Sequence, residues 1–109
     1  MASPIAILAV DDDPNMHRLV QLYLSARVFS VTTASTGRIA LHKLDTHKYD
    51  LLISDIQMPQ MDGIALVKEI RSRGCDIPII IISAFCTDEQ ADQIMAVGAN
   101  MVQIGRAHV

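Results

Sequence analysis

The stretch that decides the fold is residues 51–63, which read LLISDIQMPQMDG. It opens with a short apolar run that is typical of a strand buried on both faces of a sheet. Asp55 follows where that strand ends, and Asp62-Gly63 precedes a helical pattern. In open α/β sheets, ligands bind at the carboxyl ends of the parallel strands. The stretch therefore predicts a parallel sheet with a functional carboxylate at its rim.

The chain on either side alternates between strand-like and helix-like segments. Short β-rich or apolar runs occur at residues 5–10, 29–33, 50–54, 77–82 and 100–104. The helix-like segments between them carry boundary signals: Pro14 at a first turn, Thr36 and the Thr87–Gln90 pair as N-caps, and Gly74 and Gly98 as stops. The alternation predicts a doubly wound α/β fold, with a parallel five-stranded sheet and helices on both faces.

A second acidic group, Asp11-Asp12-Asp13, follows the first predicted strand. If this strand neighbours the one before Asp55, the carboxylates meet at one rim, where they repel one another unless a cation joins them. Their hard oxygens suit Mg²⁺, and no His/Cys cluster favours zinc. A carboxylate is also a nucleophile towards phosphorus. Asp13 is expected to be a helix N-terminal acid rather than a ligand.

Length and composition restrict the class of protein. The 109 residues suit one domain, and a 50% hydrophobic composition is enough for a packed core. A net charge of -3 with no basic patch argues against direct nucleic-acid binding. The apolar runs are too short to span a membrane, and the N-terminus does not resemble a secretory signal. The isolated Cys75 and Cys86 are expected to be reduced thiols of a cytoplasmic protein.

Several short motifs stand in order at the predicted strand ends: Val10-Asp11-Asp12, Asp55, Met58-Pro59, Asp62-Gly63, Ser83-Ala84 and Gly98-Ala99. In this order and placement, the chain resembles the receiver domain of a bacterial two-component response regulator, from residue 5 to about residue 102. The resemblance implies the flavodoxin-like strand order 2-1-3-4-5, with ligands bound at the switch point of the sheet. It also implies that a sensor histidine kinase or phosphotransfer protein is the partner.

The resemblance assigns roles residue by residue. Asp55 is the expected phospho-acceptor. Asp12 is expected to bind Mg²⁺ directly, with Asp11 as a helper and the backbone carbonyl of Gln57 as a further ligand. Two other residues concern the phosphoryl group itself: Ser83 would donate a hydrogen bond to it and move on activation, and Ala84 is small enough to allow close approach. The receiver is then a switch for a partner or an output domain and is not an enzyme.

The C-terminal end departs from the family pattern. Receivers carry a Lys-Pro pair at the end of the fifth strand, but the corresponding residues here are Gly105-Arg106. The position of the switch aromatic is occupied by Val102, and the fifth helix is missing. Residues 104–109, IGRAHV, match the translation of the start of a widely used sequencing adapter. We therefore expect an incomplete receiver domain over residues 1–103, a non-native tail over residues 104–109, and a C-terminal output domain lost from this chain.

Two other functions fit part of the pattern. A degenerate receiver that takes no phosphate would act as a protein-interaction module. The missing lysine and switch aromatic favour this alternative, and the intact acidic trio with Asp55 disfavours it. A Mg²⁺-dependent phosphohydrolase would use Asp55 as its nucleophile and would need a general acid close by. Gln57 stands at the position where such an enzyme would carry that acid, so the sequence disfavours hydrolysis.

Overall fold

The structure is a computed structural model that describes residues 4–13, 28–58, 61–83 and 86–104. The described strands are β1 Ile5–Val10, β2 Phe29–Ala34, β3 Leu51–Ser54, β4 Ile79–Ser83 and β5 Met101–Ile104. The described helices are α1 Gly37–Thr46, α2 Gly63–Ser72 and α3 Asp88–Ala96. The helix predicted after Pro14 and the departures at Gly105-Arg106 lie outside the described residues.

All five strands are parallel, in the order β2-β1-β3-β4-β5. This confirms the predicted flavodoxin-like sheet. The core is built on rows of apolar side chains that cross the sheet. Leu8 pairs with Leu52 and Leu52 with Ile79, and each of the three is 0% exposed. The described helices contribute buried side chains such as Leu66 and Ile94 to the same core. The edge of the sheet that carries the acids is therefore continuous with a buried apolar core.

The helix starts follow from local hydrogen bonds. Thr36 accepts a backbone N–H at 3.1 Å to begin α1, and Thr87 with Gln90 forms a complete capping box at α3. Both signals were predicted from the sequence. Asp62 caps α2 by accepting the N–H of Ala65 at 2.8 Å, a role that the sequence pattern did not indicate. These three caps determine the residue at which each described helix begins.

Strand β4 begins later than the sequence predicted, at Ile79 rather than at residue 77. Pro78 has no N–H to donate to the ladder, although its carbonyl accepts from Leu52 at 2.9 Å. Ser83, predicted to follow the strand, is its last residue. The expected domain boundary at residue 103 falls inside β5, which runs to Ile104.

Asp50 extends the sheet with its side chain. Its N–H donates to the carbonyl of Ala6 at 2.7 Å, and its Oδ2 accepts the N–H of Ala6 at 2.8 Å. The carboxylate thus replaces a backbone partner at the start of the β1–β3 ladder. The predicted strand included Asp50, but in the structure this residue is the polar one that precedes β3.

The Arg71 side chain joins three parts of the chain at the edge opposite the acids. Its guanidinium donates to the carbonyl of Gly98 at 3.0 Å, the carbonyl of Cys75 at 2.9 Å and Oδ1 of Asn100 at 2.9 Å. The same Oδ1 accepts the N–H of Ile79 at 2.8 Å. One guanidinium therefore connects the end of α2 to the start of β4 and to the turn between α3 and β5.

We expect Arg71→Met to lower the free energy of unfolding by about 2 kcal/mol, because three hydrogen bonds from a charged donor are lost. The matched control is Arg73→Met at the end of the same helix. Arg73 forms exposed ion pairs with Asp45 at 2.8 Å and Glu69 at 3.3 Å, which solvent screens. Urea unfolding of both variants checks the prediction, and equal midpoints for the two would contradict it.

Among the described residues, no helix combines the length and apolar character needed to cross a membrane. The thiols of Cys75 and Cys86 are free and half-buried.

Candidate functional site

The register of β1 against β3 brings the two acidic groups to one edge of the sheet. Val10, the last residue of β1, pairs with Ser54, the last residue of β3. Asp11 and Asp55 directly follow these two residues. The N–H of Asp55 donates to the carbonyl of Val10 at 3.3 Å, which carries the pairing into the loop. The backbone pairing therefore places Asp11 and Asp55 next to each other at this edge of the sheet, as predicted.

The carboxyl groups of Asp12 and Asp55 are close enough to Asp11 to affect its charge. Burial raises the pKa of Asp11, and the negative charges of Asp55 and Asp12 raise it further. The N–H of Asp13 donates to Oδ1 of Asp11 at 2.9 Å and opposes this effect. A cation bound beside Asp11 would offset this unfavourable interaction between carboxylates.

The Asp55 carboxylate is oriented by its own loop. Its Oδ1 accepts the N–H of Gln57 at 3.2 Å. This hydrogen bond orients the carboxylate relative to the loop that follows β3. Asp55 is half-buried, so the group is accessible at the rim while its backbone is held by the sheet.

The glycine of the Asp62-Gly63 pair, at the start of α2, has a steric explanation. The N–H of Gly63 donates to the carbonyl of Ile56 at 2.6 Å. A Cβ on Gly63 would lie 2.4 Å from the carbonyl oxygen of Asp55 and 2.8 Å from Cα of Ile56. Only glycine lets the first turn of α2 pack against the backbone that carries Asp55.

Ser83 reaches the same edge from β4. Ile81 pairs with Ser54, and Ser83 stands two residues further towards the carboxyl end. Its side chain is 3% exposed, so the hydroxyl belongs to the base of the rim. Ala84, predicted to allow close approach of a phosphoryl group, lies outside the described residues.

A cleft of about 460 Å³ opens beside the acids. Its polar wall includes Asp12, Gln57 and Asp62, and its apolar wall includes Met58. Among the described lining residues, five were not predicted to belong to the site, namely Ile56, Met58, Asp62, Ile64 and Gln90. The sequence indicated helix packing for Ile64 and capping for Gln90, and only the folded loop shows that they line the cleft. The site is therefore accessible from the side on which α2 and α3 begin.

The donor atoms at the rim suit Mg²⁺. The carboxylates of Asp11, Asp12 and Asp55 and the carbonyl of Gln57 are hard oxygens. Within the described ranges, no three His, Cys, Asp or Glu side chains form a ready-made metal cluster. Mg²⁺ is usually held by one or two carboxylates together with waters and phosphate oxygens, so this arrangement fits the ion without a complete protein cage.

We expect Asp11→Asn to raise the free energy of unfolding in buffer containing EDTA, by up to about 1 kcal/mol after solvent screening. The substitution removes one of the repelling charges, while the amide oxygen can still accept the N–H of Asp13. Asp92→Asn, at an exposed position in α3, is the control. Chemical denaturation checks the result, and a destabilised Asp11→Asn variant would show that charge repulsion is not the dominant effect.

The chain is similar to known proteins over nearly its whole length. A family profile described as the response regulator receiver domain matches residues 7–102. The transcriptional regulatory protein ZraR of Escherichia coli is 37% identical over 95 residues, which cover 87% of this chain and 22% of ZraR. The alkaline phosphatase synthesis transcriptional regulatory protein PhoP of Bacillus subtilis is 37% identical over 89 residues, 82% of this chain and 36% of PhoP. The chain thus spans about a fifth to a third of these relatives.

Solved structures show the same fold. The chemotaxis protein CheY4 of Vibrio cholerae superposes with a TM-score of 0.87 at 32% identity, over 93% of this chain and 86% of CheY4. The response regulator TrrA of Thermotoga maritima, solved in complex with Mg²⁺-BeF, has a TM-score of 0.81 at 33% identity, over 91% of this chain and 84% of TrrA. Both similarities extend beyond single motifs to nearly the whole chain.

Proposed function

This chain belongs to the response regulator receiver domain family, and from that membership we propose that it accepts a phosphoryl group on Asp55. The observation that carries the proposal is the placement of Asp55 directly after the β3 residue that pairs with Val10, beside Asp11. The proposed donor is a phosphohistidine on a sensor histidine kinase or a phosphotransfer protein. The proposed location of this exchange is the cytoplasm.

In the proposed reaction, a carboxylate oxygen of Asp55 attacks phosphorus as the phosphorus–nitrogen bond of the donor breaks. The electron pair of that bond stays on the imidazole nitrogen, which takes up a proton, and Asp55 becomes an acyl phosphate. The N–H of Gln57 holds Oδ1, so the carboxylate stays turned for attack. Little covalent chemistry is asked of the protein, whose main contribution is positioning.

The rim residues would hold Mg²⁺ through Asp12, Asp55 and the carbonyl of Gln57, with Asp11 as a helper. The bound ion would neutralise charge on the phosphoryl oxygens. The TrrA structure in complex with Mg²⁺-BeF supports this choice of ion. Ser83 donates to a phosphoryl oxygen in the proposed product, where its hydroxyl is a suitable donor.

Phosphorylation would then change the balance between two conformations, with Ser83 and the α3–β5 region moving together. ZraR and PhoP are longer than this chain, which matches only 22% and 36% of their lengths. We therefore propose that the receiver acts on a partner or an output domain and does not turn over a substrate itself.

Intact-mass spectrometry after incubation with acetyl phosphate tests the proposal. We expect a gain of one phosphoryl group that requires Mg²⁺ and is prevented by excess EDTA. Acetyl phosphate replaces the kinase, so the test does not depend on knowing the partner. An unchanged mass in the presence of Mg²⁺, from a sample shown to be folded, would contradict phospho-acceptance.

A further inference from the structure

Ser54 is a buried hydroxyl within an apolar row of the sheet. Its side chain is 2% exposed, and it pairs with Val10 and Ile81, which are 2% and 0% exposed. Burying a hydroxyl in such surroundings is unfavourable unless the group makes a specific hydrogen bond. An alanine would pack here without that requirement, so the hydroxyl needs an explanation beyond filling the core.

The hydroxyl of Ser54 is directed at the segment that carries the proposed nucleophile. Its Oγ donates to the backbone carbonyl of Asp55 at 2.9 Å and lies 3.9 Å from the sulfur of Met58. The N–H of Asp55 is held separately by the carbonyl of Val10. Both sides of the Asp55 backbone are therefore fixed, one by the neighbouring strand and one by Ser54.

Ser54 contacts residues on both sides of Gln57, whose carbonyl is the proposed backbone ligand of Mg²⁺. Asp55 and Met58 are the two ends of a four-residue segment, and Gln57 lies between them. The N–H of Gln57 donates to Oδ1 of Asp55 at 3.2 Å, so the Ile56–Gln57 peptide is held by the Asp55 side chain. A shift of the Asp55 carbonyl would displace the two peptide units that lead to Gln57, and the position of the Gln57 carbonyl would change with them.

We propose that Ser54 is a positioning residue, which holds residues 55–58 so that the Gln57 carbonyl and the Asp55 carboxylate bind Mg²⁺ together. This inference rests on the proposed function, because it concerns the same site. Ser54 itself contacts neither the ion nor the phosphoryl group. It acts through the backbone of Asp55, in the way that outer hydrogen bonds orient metal ligands elsewhere.

The test compares Ser54→Ala with wild type in Mg²⁺ affinity, measured by isothermal titration calorimetry without any phosphodonor. We expect the dissociation constant for Mg²⁺ to rise roughly tenfold, the size of effect seen when outer-shell partners are removed. Ile94→Val, a buried change in α3 that lowers stability without touching the rim, is the control and should bind Mg²⁺ like wild type. Ser54→Thr keeps the hydroxyl and should recover most of the affinity.

Amide hydrogen exchange at Gln57, recorded in EDTA, gives a second result that does not depend on the metal. We expect faster exchange in Ser54→Ala than in Ile94→Val, because the loop is less well held. Wild-type Mg²⁺ affinity together with unchanged Gln57 exchange in Ser54→Ala would overturn the proposal. A wild-type protein that fails to bind Mg²⁺ would instead refute the proposed function, and the exchange measurement would still decide whether Ser54 holds the loop.

Discussion

Asp55→Asn is expected to abolish phosphorylation by acetyl phosphate. The rate of phosphorylation should fall on the order of 10³-fold or more, because the nucleophile is removed. Asparagine preserves the shape of the side chain, and its amide oxygen can still accept the N–H of Gln57. It removes the carboxylate oxygen that would attack phosphorus. The measurement is the fraction of protein that gains one phosphoryl mass in the presence of Mg²⁺.

The control for this experiment is Asp76→Asn, an exposed aspartate at the opposite edge of the sheet, near the start of β4. It should be phosphorylated like wild type. A phosphoryl gain that persists in Asp55→Asn would place the acceptor elsewhere. If wild type binds Mg²⁺ but never gains mass, the interaction-module alternative is favoured, and turnover of phosphate esters by wild type would favour the phosphohydrolase.

Gly63→Ala is expected to lower the free energy of unfolding by about 3 kcal/mol, at the upper end for overpacked sites, and the thermal midpoint by roughly 10–20 °C. The added methyl would lie 2.4 Å from the Asp55 carbonyl oxygen, and backbone atoms cannot move aside as a flexible side chain can. Because the displaced backbone belongs to Asp55, the folded fraction should also be phosphorylated more slowly. Thermal denaturation and the mass assay measure the two effects.

Gly74→Ala separates this steric effect from the general cost of replacing a glycine. Gly74 has a φ of 76°, which disfavours side chains, but a Cβ added there would meet no atom within 4 Å. Its substitution should cost only about 1 kcal/mol, the strain of the left-handed conformation. If both variants lose the same stability, close backbone approach is not what makes glycine necessary at position 63.

Much of the fold could be predicted because the local signals agree with one another. The apolar runs that become β1 and β3, the caps at Thr36 and Thr87, and the glycine stops each depend on residues close in sequence. Strand order came from the resemblance and not from these signals. The start of β4 was misplaced because an apolar run does not show where pairing begins, whereas the missing N–H of Pro78 does.

The site was predictable in its carboxylates and less so in the atoms that hold them. Acids at strand ends are visible in the sequence, and parallel pairing brings them together. The hydroxyl of Ser54 and the cap at Asp62 act over one to three residues, but each becomes informative only when burial and loop geometry are known. The Arg71 contacts span 27 and 29 residues, a separation at which no local pattern applies.

The Arg71 hydrogen bonds also restrict how sequences of this kind can diverge. A Cβ on Gly98 would lie 2.7 Å from Cγ of Arg71, and Asn100 shares one oxygen between Arg71 and the backbone of Ile79. A change at position 71 therefore removes a partner from Asn100 and a steric restriction from Gly98, whose φ of 124° still favours glycine. We expect arginine at position 71 and asparagine at position 100 to be gained and lost together during evolution, as a co-inherited pair.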